Sequence, residues 1–137
     1  DRYYEWAVVS GLRDFSAWKY VGVRGAQGTQ HPYTLETDGL LTFTITLRDG
    51  AGNTSSINSG AYGGGFGMPY ERSGGWHNEM RRIRIRITDF LANGSNIDLT
   101  NIVAVRLNVG PSWGTSQGRI VIDELMLDND LPPAGGL

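Results

Sequence analysis

The segment LTFTITLR, residues 41–48, indicates the fold class more clearly than any other part of the chain. Apolar side chains occupy every second position, while threonine or arginine fills the positions between them. Strict alternation of this kind is typical of a β-strand with one face in the core and the other in water. The Asp49-Gly50 pair that follows is a turn signal. The predicted inward face of this strand consists of Leu41, Phe43, Ile45 and Leu47.

The same alternation returns in the second half of the chain. Residues 82–88, RIRIRIT, place isoleucine on one face and arginine on the other. Residues 102–109 place valine and leucine inward, with Arg106 and Asn108 outward. Residues 119–127, RIVIDELML, are more continuously apolar, which favours a central position in a sheet. Weaker strand signals lie at residues 3–10, 18–24, 32–37 and 55–62.

The segment between the strongest strand signals, residues 90–101, is too broken for a strand, and we predict short helical turns at residues 89–92 and 98–101. The pattern as a whole predicts roughly seven to nine short strands and no long helix. A strand with one apolar face needs a second apolar surface to cover it. We therefore predict an all-β fold, a two-sheet antiparallel β-sandwich. A single domain is expected over residues 1–130, and LPPAGGL at residues 131–137 is expected to be a linker-like tail.

The composition agrees with that fold and excludes several classes of function. Glycine, at 20 of 137 residues, is about twice its average share, which favours a turn-rich protein. The absence of cysteine excludes disulfides, thiol nucleophiles and cysteine zinc sites. The net charge of −2 lacks the basic excess that a nucleic-acid partner requires. No apolar run approaches the ~20 residues of a membrane helix, so we predict no membrane insertion.

Two motifs match parts of enzyme sites, and neither supports catalysis. GPSWG at residues 110–114 matches the G-x-S-x-G nucleophile elbow, which requires a following helix and a later histidine. A turn and a strand signal follow Ser112 instead, and both histidines, His31 and His77, precede it. The glycine-rich GAYGGGFG at residues 60–67 lacks the Lys-Ser/Thr pair of a phosphate-binding loop. We therefore predict that the protein is not an enzyme.

Four segments, taken in order, resemble one protein family. They are LRDFSAW at residues 12–18, IRITDF at 85–90, IDLTNI at 97–102 and GRIVIDELML at 118–127. This order resembles the galactose-binding-domain-like jelly rolls of non-catalytic carbohydrate-binding modules. The resemblance implies a monomeric jelly roll that binds a polysaccharide or glycan and belongs to a larger, secreted or surface-exposed bacterial protein. The shared motifs specify a core and a corner, so neutral and acidic glycans both stay open.

The same resemblance implies a structural calcium ion. Asp14 in LRDF, and the adjacent Asp123 and Glu124, occupy positions that resemble those near calcium in related jelly rolls. Calcium prefers oxygen ligands from carboxylates and loop carbonyls. Carboxylates that pair with arginine account for the same residues equally well. Both interpretations stay open at the level of sequence.

Aromatic side chains in the glycine-rich loops are the candidates for contact with a sugar ring. The apolar C–H faces of sugars stack on aromatic rings, while sugar hydroxyls need polar partners. Trp6, Phe43 and Phe90 lie in apolar patterns and are assigned to the core. Phe66 belongs to a glycine run that forms either a floor beside a flat ligand or a loop with left-handed backbone. The predicted aromatic ligand contacts are Trp76, Trp113, Tyr62 and Tyr70. In the alternative, these rings cover an edge of the core.

The polar candidates come from an excess of arginine, which makes up 11 of the 12 basic residues. Arginine binds carboxylate and sulfate groups through two parallel hydrogen bonds, so an outward band of arginines suits an acidic polysaccharide. The predicted hydrogen-bonding residues are Arg84, Arg86, Arg106, Asn108 and Gln117. Two alternatives stay open: the arginines pair across strands with Asp and Glu, or they reflect a coding preference for arginine over lysine.

Two functions therefore compete at the level of sequence. The first is a non-catalytic polysaccharide-binding module. The second is a structural or adhesive β-sandwich module of an extracellular protein, without affinity for sugar, in which the loop aromatics cap the core.

Overall fold

The computed structural model describes residues 1–28 and 39–130, except for the side chains of Glu71 and Trp76. Nine strands lie in this part of the chain, together with a short α-helix, α1 (Asp89–Ala92). The strands are β1 (Arg2–Ala7), β2 (Tyr20–Gln27), β3 (Thr44–Asp49), β4 (Thr54–Asn58), β5 (Tyr70–Arg72), β6 (Gly75–His77), β7 (Arg81–Arg86), β8 (Ile102–Val109) and β9 (Ile120–Asp128). Short 3-10 turns span Ser10–Leu12, Phe15–Ala17 and Ser59–Tyr62.

The strands form two antiparallel sheets and a small hairpin. The four-stranded sheet has the order β1-β8-β3-β4, and the three-stranded sheet has the order β7-β2-β9. Strands β5 and β6 pair with each other. This arrangement confirms the predicted two-sheet antiparallel β-sandwich. The predicted strand at residues 32–37 and the predicted tail at residues 131–137 lie outside the described residues.

Alternation along the strands determines which side chains fill the space between the sheets. In the four-stranded sheet, Ile45 lies opposite Leu107 and Leu47 lies opposite Val105, and all four side chains are buried. A fully buried aliphatic side chain contributes about 1.5–3 kcal/mol to stability, so this layer is a main source of folding free energy. The three-stranded sheet contributes Val21, Val23, Ile83 and Ile85 from β2 and β7.

Strand β3 begins at Thr44, later than the predicted start at residue 41, although Leu41 is buried as expected. The reason lies in the loop at residues 110–118, which contacts the backbone of Thr42. The Thr42 N–H donates to the Thr115 hydroxyl oxygen at 2.9 Å, and the Thr115 N–H donates to the Thr42 carbonyl at 3.2 Å. These two bonds occupy groups that a longer strand would use in its ladder.

Two other boundaries differ from the sequence pattern for local reasons. The predicted strand at residues 55–62 ends at Asn58, whose side-chain oxygen accepts a hydrogen bond from the Gly60 N–H at 2.8 Å and starts a 3-10 turn. The predicted helical turn at residues 89–92 is confirmed as α1, whereas residues 98–101 form a turn without a helix.

A buried carboxylate fixes the turn between β3 and β4. Asp49 is 1% exposed and accepts hydrogen bonds from the backbone N–H groups of Ala51 at 3.0 Å, Asn53 at 2.8 Å and Asp98 at 2.9 Å. The Asn53 side chain donates a further bond at 3.0 Å. The bond from the Asn53 side chain, followed by the Asp98 N–H, lowers the pKa of Asp49 below its ordinary value of 3.8. This one side chain ties the turn to the segment before β8.

Candidate functional site

The sandwich is open along one side, between strands β1 and β9. Strand β1 is an edge strand of the four-stranded sheet, and β9 is an edge strand of the three-stranded sheet. A groove of about 790 Å³ lies between them, and the loop at residues 110–118 contributes to its wall. We refer to this cavity as the edge groove. Its volume falls within the range of small-molecule binding sites.

Strand β1 supplies the aromatic wall of the edge groove. Arg2, Tyr4 and Trp6 line the groove together, because side chains two residues apart share one face of a strand. Because β1 is an edge strand, none of the nine described strands covers its outer side, and Tyr4 is 62% exposed while Trp6 is half-buried. The two rings meet edge to face, with 4.6 Å between centroids and 62° between planes. Trp6, which the sequence assigned to the core, packs on the core and also lines the groove.

Strand β9 supplies the opposite, apolar wall. Ile120, Ile122 and Leu125 line the groove, are half-buried and pack against the core. The apolar sequence of this strand predicted a central position in a sheet. Instead, β9 lies at the edge of the three-stranded sheet, and its side chains that point toward the other sheet are half-buried. A β-bulge opposite Arg24 leaves Asp123 without a partner residue in the ladder. The bulge places Asp123 at the rim of the groove.

The rim of the edge groove carries charged side chains in two different states. Asp123 forms an ion pair with Arg24, and Glu124 forms one with Arg82 at 3.1 Å. Arg2 and Arg119 also line the groove, and neither forms an ion pair with any residue of the described segments. The acidic rim is therefore neutralised by neighbouring arginines, whereas two arginines keep their hydrogen-bonding groups for solvent or a ligand.

The loop aromatics predicted to contact a ligand occupy separate places. Trp113 is half-buried, and its carbonyl accepts hydrogen bonds from the Thr44 hydroxyl at 2.6 Å and the Asn58 side chain at 2.8 Å. Its loop thereby packs on the outer face of the four-stranded sheet. The close approach requires glycine at residue 114, where an added Cβ would lie 2.5 Å from the Thr42 carbonyl oxygen.

The three other aromatic candidates lie around the hairpin and the glycine run. The half-buried Tyr62 donates a hydrogen bond to Asp89 and packs on the core. Tyr70 is exposed and stacks on His77, with 5.9 Å between ring centroids. Trp76 lies in β6, but its side chain is outside the described part of the structure. Among the described aromatic candidates, none lines the edge groove.

The glycine run at residues 60–67 serves packing. Phe66 is fully buried and stacks on Phe43, with 5.0 Å between ring centroids. Gly65 permits this contact, because an added Cβ there would lie 1.8 Å from the Leu41 carbonyl oxygen. Leu41 and Phe66 form an isolated β-bridge across the same close approach. Gly63 and Gly64 have φ angles of 82° and 138°, as the loop interpretation expects, and the Phe66 ring belongs to the core.

The arginines of the three-stranded sheet pair with carboxylates. Arg84 pairs with Asp128 at 3.1 Å, and Arg86 pairs with Asp89 at 3.3 Å. With the two rim pairs described above, every outward-facing arginine of β2 and β7 has an acidic partner. We refer to these residues as the arginine face, which consists of Arg24, Arg82, Arg84 and Arg86. Cross-strand pairing was one of the alternatives left open by the sequence.

The other polar candidates also have partners. Arg106 pairs with Glu5 at 2.8 Å and lies 4.4 Å above the ring of Tyr3. Its hydrogen bond lowers the pKa of Glu5. Asn108 is 3% exposed and donates to the Thr46 hydroxyl oxygen at 2.8 Å, so it lies inside a polar network. Gln117 is exposed and lines the edge groove.

The three predicted calcium ligands do not meet. Asp14 accepts hydrogen bonds from the N–H and hydroxyl of Ser16 at the start of a 3-10 turn, while Asp123 and Glu124 bind arginines. Within residues 1–28 and 39–130, no three His, Cys, Asp or Glu side chains form a group able to hold a metal ion. These residues do not fit a shared calcium site, and calcium binding stays a prediction.

The serine of the GPSWG motif forms hydrogen bonds with an aspartate that is distant in the sequence. The Ser112 hydroxyl donates to the Asp1 carboxylate at 2.6 Å, and the Ser112 N–H donates to the other oxygen of that carboxylate at 3.0 Å. The segment is a turn and is followed by β9 rather than a helix. In addition, none of the described helices is long and apolar enough to cross a membrane.

Comparison of the chain with known proteins gives no relative: no family model, curated protein or solved structure matches it. The candidate site therefore depends on the geometry of the chain itself. That geometry offers an open aromatic pair, an apolar wall and two arginines free of ion pairs among the described residues. Such a surface can bind a ring that has an apolar face and a polar edge.

The aromatic wall was missed at the level of sequence, although a signal for it was present. Residues 2, 4 and 6 are Arg, Tyr and Trp, which share one face if the segment is a strand. Of these three residues, the sequence assigns only Trp6, and places it in the core, because an apolar face is the same in sequence for an edge strand and a central strand. Only the sheet order shows that the outer half of this face stays open.

Proposed function

We propose that this chain is a non-catalytic polysaccharide-binding module and that the edge groove is its binding site. One observation carries the proposal: Tyr4 and Trp6 form an aromatic pair that faces the groove, and Tyr4 stays 62% exposed. Burying such a ring against a ligand is favourable, and sugar rings offer the apolar face it needs. In the absence of a ligand, the exposed part of the Tyr4 ring stays in water and contributes no buried area to the stability of the protein.

The sequence resemblance to carbohydrate-binding jelly rolls supports the same class of function. The two-sheet architecture is compatible with a jelly roll of the galactose-binding type. Carbohydrate-binding modules of that type are parts of larger secreted or surface proteins of bacteria. On this proposal the module tethers its parent protein to a glycan, and an extracellular location follows from the ligand.

A second function, a structural or adhesive module without sugar affinity, is favoured by a different observation. Asn108 is in a buried network, the carbonyl of Trp113 accepts hydrogen bonds from polar side chains, and Tyr62 donates a hydrogen bond to Asp89. Several residues predicted to bind ligand therefore have structural partners. The two functions differ in one measurable property, which is whether any polysaccharide binds the edge groove.

Affinity electrophoresis against neutral and acidic polysaccharides separates these functions. We expect retardation by at least one polymer, and an affinity about tenfold weaker in Tyr4→Ala, because a stacked ring contributes about 1 kcal/mol beyond buried area. Tyr70→Ala is the matched control, since it removes an exposed tyrosine outside the groove and leaves retardation unchanged. Unchanged mobility of the wild-type protein in every gel would favour the structural module.

The implied calcium ion has its own test. A thermal melt with and without a chelator is expected to show a lower melting temperature in the chelator if the ion binds the native state. Identical melts would remove calcium from the proposal and leave the edge groove unaffected.

A further inference from the structure

The proposal below rests on the proposed function, because it assigns a ligand class to the edge groove. The arginines of the molecule fall into those with a partner and those without one in the described residues. Ion pairs hold Arg24, Arg48, Arg82, Arg84, Arg86 and Arg106. Arg13 donates to the carbonyl of Val8 at 3.2 Å, and Arg81 donates to that of Gly65 at 3.2 Å.

Three arginines keep guanidinium groups without an ion pair or side-chain hydrogen bond in the described part of the chain: Arg2, Arg72 and Arg119. Two of the three, Arg2 and Arg119, line the edge groove. They belong to opposite walls, since Arg2 begins β1 and Arg119 immediately precedes β9. The groove thus gathers cationic groups that the rest of the fold leaves without partners.

The acidic side chains along the groove do not cancel these two charges. Asp123 and Glu124 are matched by Arg24 and Arg82. The third acidic residue of the wall, Asp1, has both carboxylate oxygens in hydrogen bonds with Ser112. Because Ser112 is neutral, Asp1 keeps its negative charge. Among the described lining residues, two arginine charges without an ion pair therefore stand against one carboxylate charge without one, although the whole chain carries −2.

We infer that the edge groove selects uronic-acid polysaccharides, with Arg2 and Arg119 binding the sugar carboxylates while Tyr4 stacks on a sugar ring. Arg2 and Tyr4 are two residues apart on one face of β1, which sets their Cα atoms about 7 Å apart. A uronic acid joins an apolar ring face to a carboxylate within one residue, and this combination matches that neighbouring pair. Arginine recognises carboxylate through two parallel hydrogen bonds, which fixes the orientation of the ring.

The experiment uses polymers that differ only in charge. Polygalacturonate, alginate and hyaluronan are each compared with the same polymer after its carboxylates are converted to methyl esters, and a neutral glucan and galactan are included. For the polymer that binds, we expect about tenfold weaker affinity for the ester, and a preference that falls as salt is raised. Arg2→Gln and Arg119→Gln are each expected to weaken binding of the carboxylate form about threefold to tenfold and to leave the ester unaffected.

Arg72→Gln is the matched control, because it removes the same charge from an unpaired arginine outside the groove and is expected to leave binding unchanged. Equal affinity for carboxylate and ester, or a carboxylate preference that survives in the Arg2→Gln/Arg119→Gln double variant, overturns the inference. If a neutral polymer binds and Tyr4→Ala abolishes that binding, the proposed function stands while the uronate inference fails. If no polymer binds at all, the proposed function fails as well.

Discussion

The arginine face and the edge groove contain the same kinds of side chain and use them in opposite ways. On the arginine face, each guanidinium meets a carboxylate of β9 or of α1. In the edge groove, Arg2 and Arg119 form no ion pair with a carboxylate of the described segments, and Tyr4 is 62% exposed. The first surface completes its interactions within the chain. The second leaves polar and apolar groups available to a ligand.

This difference shows why the abundance of arginine is a poor guide to a binding site. The sequence suggested an outward arginine band because alternate residues of β7 are arginine. The band exists, but antiparallel pairing with β2, and of β2 with β9, brings acidic residues alongside it. A ligand carboxylate would have to displace an existing partner there, so net attraction on that face is small. The two regions differ in whether their arginines have carboxylate partners among the described residues, and not in how many arginines they contain.

The largest expected effect is on stability and comes from the most buried pair of the arginine face. The side chains of Arg84 and Asp128 are 17% and 8% exposed, and one oxygen of Asp128 has no hydrogen-bond partner within residues 1–28 and 39–130. Arg84→Ala would leave a buried carboxylate without a counter-charge, which costs about 3–5 kcal/mol. Urea unfolding is expected to show this loss of stability. The folded Arg84→Ala variant is expected to bind polysaccharide in the edge groove as tightly as the wild type does.

A double variant tests the reason for that loss. Replacing both partners, as in Arg84→Met/Asp128→Leu, removes the buried charge together with its partner and is expected to be neutral or stabilising. If the double variant is as unstable as Arg84→Ala, packing of the arginine stem, and not its charge, explains the effect.

The sequence predicted the fold well because alternation is a local signal. Residues 41–48 and 82–88 identified inward side chains correctly, and Ile45, Leu47, Ile83 and Ile85 are buried. The apolar face of one sheet has to be covered by another apolar surface, so the alternating pattern predicted two packed sheets. Strand ends were less certain, since they depend on distant partners such as the contact between Thr42 and Thr115.

The candidate site was much harder to predict, because it arises from the order of strands in each sheet. Tyr4 and Ile122 are far apart in sequence, and nothing local indicates that β1 and β9 end their sheets on the same side. Gln117 is the predicted ligand contact that lies on the edge groove. Trp113, chosen because its loop is rich in glycine, packs with that loop on the outer face of the four-stranded sheet.

Acid is expected to weaken the fold through carboxylates whose charged form the folded chain stabilises. Hydrogen bonds hold the pKa of Asp49 below 3.8 in the folded chain. A lowered folded pKa means that this stabilisation is complete above the unfolded pKa, and is lost as pH falls from about 4 through the folded value. Glu5, whose pKa is lowered by Arg106, adds a loss of the same sign.

Urea unfolding at pH 7, 4 and 3 measures this dependence. Asp49→Asn is expected to unfold at a lower urea concentration at pH 7 and to show a shallower loss of stability between pH 4 and 3, because the titrating group is gone. An equally steep loss in Asp49→Asn would assign the acid sensitivity to other carboxylates.

A pair of aromatic variants separates the two kinds of aromatic surface. Trp113 is half-buried, so Trp113→Ala is expected to cost about 1–2 kcal/mol of stability and to leave polysaccharide affinity unchanged. Tyr4→Ala is expected to do the reverse, with a melting temperature close to that of the wild type and weaker binding. Loss of binding in Trp113→Ala, with binding intact in Tyr4→Ala, would move the site from the edge groove to the outer face of the four-stranded sheet beside Trp113.

The smallest expected effect is on the stability of variants that lose an exposed arginine. Arg86 is 62% exposed, and its ion pair with Asp89 lies in water, where such pairs contribute about 0–1 kcal/mol. Arg2→Gln is expected to change stability by less than about 0.5 kcal/mol, because no described ion pair is lost. Urea unfolding should therefore rank Arg86→Gln and Arg2→Gln together, while binding of a carboxylate polymer separates them. If Arg86→Gln weakened that binding as much as Arg2→Gln, the arginine face would be part of the site, and availability would no longer distinguish the two regions.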